Sequence, residues 1–154
     1  MIIYKTAETK KDYEDAKVLF LEFADSLNFN LCFQNFQKEI EDLPAMYSEP
    51  GGCLLLSCEN EKPFGCVAVR KFEDGICEMK RLYIPESHRG RGIGRELAER
   101  IISKAKELGY KKMRLDTLET MKEAISLYKT MGFCEITKYR ENPIKEVVYM
   151  EINL

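Results

Sequence analysis

The chain has no tryptophan, one histidine (His88) and five prolines in 154 residues. With a single histidine, a Cys/His zinc site would have to draw its cysteines from three or more scattered segments, so no metal is expected. The cysteines Cys32, Cys53, Cys58, Cys66, Cys77 and Cys134 contain no C-x-x-C pair, and most sit in apolar, strand-like runs. They read as reduced, buried thiols of a cytoplasmic protein. The longest apolar runs are a few residues, as at Cys53-Leu54-Leu55-Leu56, whereas a membrane helix needs about 20. Met1–Thr6 lacks a basic region followed by an apolar stretch, so no signal peptide is expected. Neither charge sign dominates: 24 Lys and Arg stand against 26 Asp and Glu, a net charge of −2. Without a basic footprint, neither nucleic acid nor a membrane is an expected partner. There is no Gly-Lys-Ser or Gly-Lys-Thr, which excludes a P-loop. Repeats, low-complexity tracts and linkers are also missing, so residues 1–154 read as one domain.

The apolar pattern is clear. Residues 1–6 alternate as a short strand. Tyr13, Ala16, Phe20, Phe23 and Leu27 form one stripe of a helix over 9–27, with Thr9 and Asp12 placed to cap it. Phe33, Phe36, Ile40 and Leu43 mark a second helix that should stop at Pro44. Strands follow at 53–58, 64–72 and 76–84. A helix over 92–108 carries Ile93, Leu97, Ile101, Ala105 and Leu108, and Gly109 ends it. A strand at 112–117, a helix at 121–131 and strands at 133–137 and 147–152 complete the chain. The order β-α-α-β-β-β-α-β-α-β-β predicts an α+β fold: a mixed, mostly antiparallel sheet of about seven strands with helices on both faces. The strand 147–152 is a candidate for pairing across a homodimer.

Arg89-Gly90-Arg91-Gly92-Ile93-Gly94-Arg95 is the most informative stretch. It follows a strand and opens a helix, whose first turn offers unpaired N–H groups and a partial positive charge. Glycines let the backbone approach a ligand closely, and Arg89, Arg91 and Arg95 add cations. A diphosphate suits such a turn. A dinucleotide-binding fold would need G-x-G-x-x-G, but Gly90, Gly92 and Gly94 give G-x-G-x-G. Asp116 lies at about the right distance to be that fold's acid. The preceding strand, 78–84, reads as too charged for a central parallel strand.

Leu82-Tyr83-Ile84-Pro85 followed by this loop resembles the acyl-CoA motif [RQ]-x-x-G-x-[GA] of the GNAT superfamily of N-acetyltransferases. Ala124 to Phe133 resembles the family's A-x-x-L-Y-x-x-x-G-F, in the usual order and separation. The likeness covers residues 53–137 well. It implies that backbone N–H groups of Arg89, Gly90, Arg91, Gly92, Ile93, Gly94 and Arg95 bind the CoA pyrophosphate. It implies that Leu82, Tyr83 and Ile84 pair with the pantetheine arm, and that strand 112–117 splays away to open a slot. Ala124 belongs to the second motif, and Met121 stands where many relatives have an asparagine that bonds the pantetheine. Thr117 is a candidate substitute for that contact.

The resemblance implies acetyl transfer from acetyl-CoA to a primary amine of a small molecule or peptide, directly in a ternary complex. On spacing alone Tyr128 reads as a core tyrosine beside Ala124 and Ile125; the resemblance places it near the thioester sulfur, as acid for the departing thiolate. A base must deprotonate the amine, whose pKa is ordinarily about 10.4. Glu78 is the candidate, placed by alternation on one face with Lys80, Leu82 and Ile84; the bland alternative is an exposed charge paired with Arg70 or Lys80. His88 reads as a surface or phosphate-contact residue. Cys134, on a strand read as buried, has no basic neighbour to activate it as a nucleophile. Residues 139–144 break the strand pattern and read as a cover for the acceptor site. Glu39, Glu41, Asp42 and Glu49 would attract a cationic amine, or form a solvated face; Arg140 would favour a substrate carboxylate. A non-catalytic acyl-CoA sensor and a dinucleotide oxidoreductase are the alternatives.

Overall fold

Thr9 sets the entry to the first helix. Its Oγ1 accepts from the Asp12 N–H at 3.1 Å, and Asp12 Oδ2 accepts from the Thr9 N–H at 3.1 Å. This reciprocal box satisfies donors that a helix start leaves open. In the computed structural model, which describes residues 1–27, 35–142 and 144–154, helix α1 (Lys10–Ser26) then buries Tyr13, Ala16, Leu19 and Phe20. Phe33, expected on the next helix, and Cys32 lie outside the described residues.

Helix α2 (Phe36–Glu41) is followed directly by the short α3 (Leu43–Met46). Pro44 therefore does not end a helix but sits in the first turn of one, where its missing N–H costs nothing. Asp42 caps that turn by accepting from the Ala45 N–H at 3.2 Å.

The strands are β1 (Ile2–Thr6), β2 (Cys53–Glu59), β3 (Lys62–Glu73), β4 (Ile76–Tyr83), β5 (Lys112–Leu118), β6 (Cys134–Ile136) and β7 (Val147–Asn153). They form a seven-stranded sheet in the order β1-β2-β3-β4-β5-β7-β6. Among the described residues only β4 and β5 pair in parallel, across the crossover helix α4 (Ile93–Glu107); α5 (Lys122–Thr130) joins β5 to β6. The mixed, mostly antiparallel sheet is the one expected. Strand β7 lies between β5 and β6, but the short β6 pairs only with Tyr149–Glu151 of it. Cys134 is exposed rather than buried, while Cys53, Cys58, Cys66 and Cys77 are buried free thiols.

Each face of the sheet carries its own core. On one, Val67, Val69, Cys77 and Met79 meet Leu97 and Ile101 of α4 and Tyr128 of α5. On the other, Leu54, Leu56, Cys66 and Ala68 meet Phe20, Phe36, Ile40 and Tyr47. Fully burying a large apolar side chain contributes about 1.5–3 kcal/mol, so these two layers carry the fold. Among the described residues no helix is long and apolar enough to cross a membrane.

Two irregularities in β4 shape the middle of the sheet. The first is a bulge. Ala68 faces Lys80 and Cys66 faces Tyr83, so three steps on β4 match two on β3. Arg81 takes up the extra residue in the left-handed region, at φ 59°. The second is a splay. Strands β4 and β5 pair only from Ile76–Lys112 to Glu78–Arg114, whereas β5 stays paired with β7 as far as Leu118. Beyond Glu78 the two strands part.

Candidate active site

The loop before α4 is shaped by its glycines. Gly90 and Gly92 have φ of 82° and 76°, a conformation that side-chain-bearing residues resist, and a Cβ on either would meet nothing within 4 Å. Gly92 is the N-cap of α4, with no side-chain cap to occupy the first-turn N–H groups. Those donors sit at the positive end of the helix dipole. The Arg89 Nε–H donates to the Ile84 carbonyl at 2.9 Å, folding the loop against the end of β4. Arg95 is held by Thr130 Oγ1 at 2.6 Å. Arg91 turns away, to Glu59 at 3.1 Å.

A cleft of about 710 Å³ opens where β4 and β5 part, within the usual range for small-molecule sites. Leu82, Tyr83, Ile84, Arg89, Gly90, Gly92, Ile93, Gly94, Arg95, Met121 and Ala124 all line it. Of the residues expected to bind the cofactor, only Arg91 and Tyr128 stand outside this cleft. His88 lines it too, stacked on Phe64 with ring centroids 4.1 Å apart. Lys122 and Thr120, which no motif marked, add a cation and a hydroxyl on the α5 side.

The inner end of the cleft adjoins a smaller cavity of about 80 Å³; the two share Phe23, Leu82 and Met121. Lys80, Arg81, Asp116, Thr117, Tyr128, Asn142 and Ile144 line the cavity among apolar neighbours. Tyr128 is buried, its ring edge-on to Phe133 at 5.6 Å. Burial, and then the Asp116 carboxylate, push its hydroxyl well above the ordinary value of 10, so it stays protonated. Thr117 Oγ1 lies 3.6 Å from the sulfur of Met121, the residue standing in for the expected asparagine. Asp116 Oδ2 is buried and has no hydrogen-bond partner among the described residues. The sequence had offered Asp116 only as the acid of a dinucleotide fold; its place beside Tyr128 follows from the splay.

The Arg81 bulge reverses the expected alternation. Glu78 and Lys80 face one side of the sheet, while Leu82 and Ile84 pack with Met79 on the other. Glu78 is fully buried, so it is neither an exposed charge nor on a face with Leu82. Its Oε1 accepts from Arg70 Nε and Nη2 at 3.2 and 3.0 Å. Its Oε2 accepts from the Tyr139 hydroxyl at 2.7 Å and from Arg140 Nη2. Burial alone would raise its pKa, but Lys80, Arg140, Arg70 and the Tyr139 hydroxyl outweigh that and bring it to about 2. Such a carboxylate is a weak proton acceptor. Lys80 is pulled down to about 8, by burial first and by Arg81 next.

Arg81 spans α2 and β4: its Nη2 and Nε donate to Glu39 Oε1 and Oε2 at 2.8 and 3.0 Å. The acidic group expected to attract an amine is dispersed. Glu39 is buried in that pair, Asp42 caps α3, and Glu49 meets Lys104 at 2.6 Å. From segment 139–144, Asn142 and Ile144 line the inner cavity. Strand 78–84, read as too charged to be central, is central: its charges are buried because they are paired.

Comparison with known proteins agrees with this geometry. A family model described as "Acetyltransferase (GNAT) family" matches residues 17–133. An uncharacterised N-acetyltransferase of Schizosaccharomyces pombe is 40% identical, over 94% of this chain and 90% of that protein. Another, from Dictyostelium discoideum, is 30% identical over 99% of this chain and the whole of that protein. A GNAT-family acetyltransferase structure from Staphylococcus aureus superposes with a TM-score of 0.81 at 19% identity, covering 99% of both chains.

Proposed function

This chain belongs to the GNAT family of acetyltransferases, and on that premise we propose that it moves an acetyl group from acetyl-CoA directly to a primary amine. One observation carries the proposal. A continuous path runs from the left-handed glycines of the α4 loop, along the unpaired edge of β4, to the cavity that Tyr128 lines. The loop fits a pyrophosphate, since its first-turn N–H groups are uncapped and the space a Cβ would take is open. Bound acetyl-CoA would supply the activated acyl group and the departing thiol.

The chain's own residues do the rest. Gly90, Gly92 and the start of α4 hold the phosphates, with Arg89, Arg95 and Lys122 adding positive charge to the cleft. The parted edge of β4 at Leu82–Tyr83 accepts an extended arm as a strand would. Tyr128 keeps its proton until the sulfur leaves. Its raised pKa does not disable it, because a thiolate in the same dry slot is destabilised as well. Proton removal from the amine falls to Asp116, whose free Oδ2 lies on the cavity wall, directly or through a water. Glu78, the base expected from the sequence, serves instead as the anchor that ties segment 139–140 to β4.

The test is a thermal-shift titration with acetyl-CoA, CoA, NADH and ATP, with thiol release measured on an amine panel. A ligand at a hundred times its Kd stabilises by about 2.7 kcal/mol. Stabilisation by acetyl-CoA but not NADH, with amine-dependent thiol release, is the expected result. Stabilisation by NADH and by neither CoA form overturns the proposal.

A further inference from the structure

The polar side chains lining the inner cavity differ in what they have left to offer a substrate. Lys80 and Arg81 are engaged, Lys80 with Glu78 Oε1 at 3.9 Å and Arg81 with Glu39 through two nitrogens. Thr117 Oγ1 lies against the Met121 sulfur at 3.6 Å, and the Tyr128 hydroxyl is already assigned to the departing thiol. Asp116 and Asn142 remain. Asp116 Oδ2 is a buried acceptor with no hydrogen-bond partner among the described residues.

Asn142 is its complement. The Asn142 Oδ1 accepts from the Ile144 N–H at 2.9 Å, reaching past Pro143, which has no N–H to give. A backbone N–H can be met only by the amide's oxygen, so this contact fixes which end of the side chain is spent. The Nδ2 end is a donor with no partner among the described residues. The segment that carries it is pinned: Tyr139 and Arg140 both donate to Glu78 Oε2, and the Tyr139 ring stands edge-on to Phe72 and Tyr149, at 5.0 and 5.1 Å. One unspent acceptor and one unspent donor thus line the same cavity, from strand β5 and from the segment before β7.

We infer that the acceptor is an amine with a hydrogen-bond-accepting oxygen beside it, the oxygen held by Asn142 Nδ2 and the nitrogen turned toward Asp116. This rests on the acetyltransferase reading above and narrows its substrate. An α-amino carbonyl compound has the required pair of groups. A plain alkylamine satisfies Asp116 and leaves the Asn142 donor unmet. Because the amide of Asn142 is neutral, it takes a carbonyl as readily as a carboxylate, so the requirement is for oxygen and not for charge. The cavity of about 80 Å³ brings both contacts to one small part of the acceptor.

The protein is assayed by thiol release from acetyl-CoA with the protein-forming L-amino acids and their α-carboxamides. Each is set beside the amine that keeps the side chain but lacks the carboxyl or carboxamide group. A polar group left unmet in a water-poor site corresponds to roughly 10- to 100-fold in kcat/KM. The best acceptor is expected to be an oxygen-bearing amine that exceeds its stripped counterpart by that factor. Asn142→Asp keeps the oxygen that the Ile144 N–H needs and removes only the donor. It should raise KM for the oxygen-bearing acceptors, erase their advantage and leave stabilisation by acetyl-CoA unchanged. Stripped amines used as well as their oxygen-bearing counterparts overturn the inference. So does an Asn142→Asp variant that slows both classes by the same factor, the mark of a merely structural loop residue. Absence of turnover with every oxygen-bearing amine, while acetyl-CoA still stabilises the protein, overturns it too. Loss of acetyl-CoA binding in the wild type would instead overturn the underlying acetyltransferase reading, and this inference with it. The wild-type panel decides the matter even if the Asn142 variant does not fold.

Discussion

Arg81 bonds Glu39 through two nitrogens, at 2.8 and 3.0 Å, across 42 positions of sequence. That contact holds the β4 bulge against α2 and offsets the roughly 1–2 kcal/mol that a left-handed, side-chain-bearing residue costs. Removing one partner leaves the other charged and buried. Arg81→Met is expected to destabilise by about 3–5 kcal/mol, and the double variant Arg81→Met/Glu39→Leu by clearly less. Denaturant unfolding of the single and double variants checks this; equal losses would show that the pair is not the cause.

Glu78 makes stability acid-sensitive. Its folded pKa of about 2 lies below the ordinary 4.5, so its contribution is complete above about 4.5 and fades as pH falls toward 2. The shift corresponds to on the order of 3 kcal/mol. Melting temperature against pH should drop steeply below pH 4.5 in the wild type, and the slope should be shallower in Glu78→Gln. Parallel curves would remove Glu78 from the explanation.

Asp116 and Glu78 can be separated by kinetics. Asp116→Asn is expected to lower kcat/KM by about 100-fold at neutral pH and to flatten the acid limb of the pH profile. Glu78→Gln should keep that limb, whatever it does to stability. The reverse pattern would return the base role to Glu78.

Tyr128→Phe should reduce kcat by about 100- to 10,000-fold and leave stabilisation by acetyl-CoA nearly unchanged, since only the hydroxyl is lost. A fall of less than about tenfold would mean that water protonates the thiolate unaided.

Gly75 and Gly92 make a matched pair, with φ of 79° and 76° and open space around both. Alanine at either carries the same backbone strain, about 1 kcal/mol. Only Gly92→Ala should weaken acetyl-CoA binding, and Gly92→Glu should abolish it. Equal thermal shifts with acetyl-CoA in Gly75→Ala and Gly92→Ala would detach the loop from phosphate binding.

The glycine loop and the second motif were legible because each is written in contiguous residues. The Thr9 box and the α4 stripe were legible for the same reason. The bulge was not: no local preference marks an arginine for φ 59°, and strict alternation therefore put Glu78 and Leu82 on one face. The buried charges of β4 were misread as unsuited to a central strand, because their partners Glu39, Arg70 and Arg140 are remote in sequence. Asp116 was unreadable as a site residue until the splay showed where β5 leaves β4. Pro44 was read as a stop when it begins a turn, a distinction carried by Asp42 two positions earlier.

The parting of β4 from β5 also has a mechanical side. Strands β1–β4 form one plate and β5, β7 and β6 another, stitched together by the short parallel seam from Ile76–Lys112 to Glu78–Arg114. Beyond that seam, nothing in the sheet's own ladder resists a change in the angle between the plates. An extended molecule laid in the gap supplies the missing rungs and acts as a spline. A donor bound as proposed would then stiffen the enzyme along the line on which it reacts, and its departure would restore the give that lets the next molecule in.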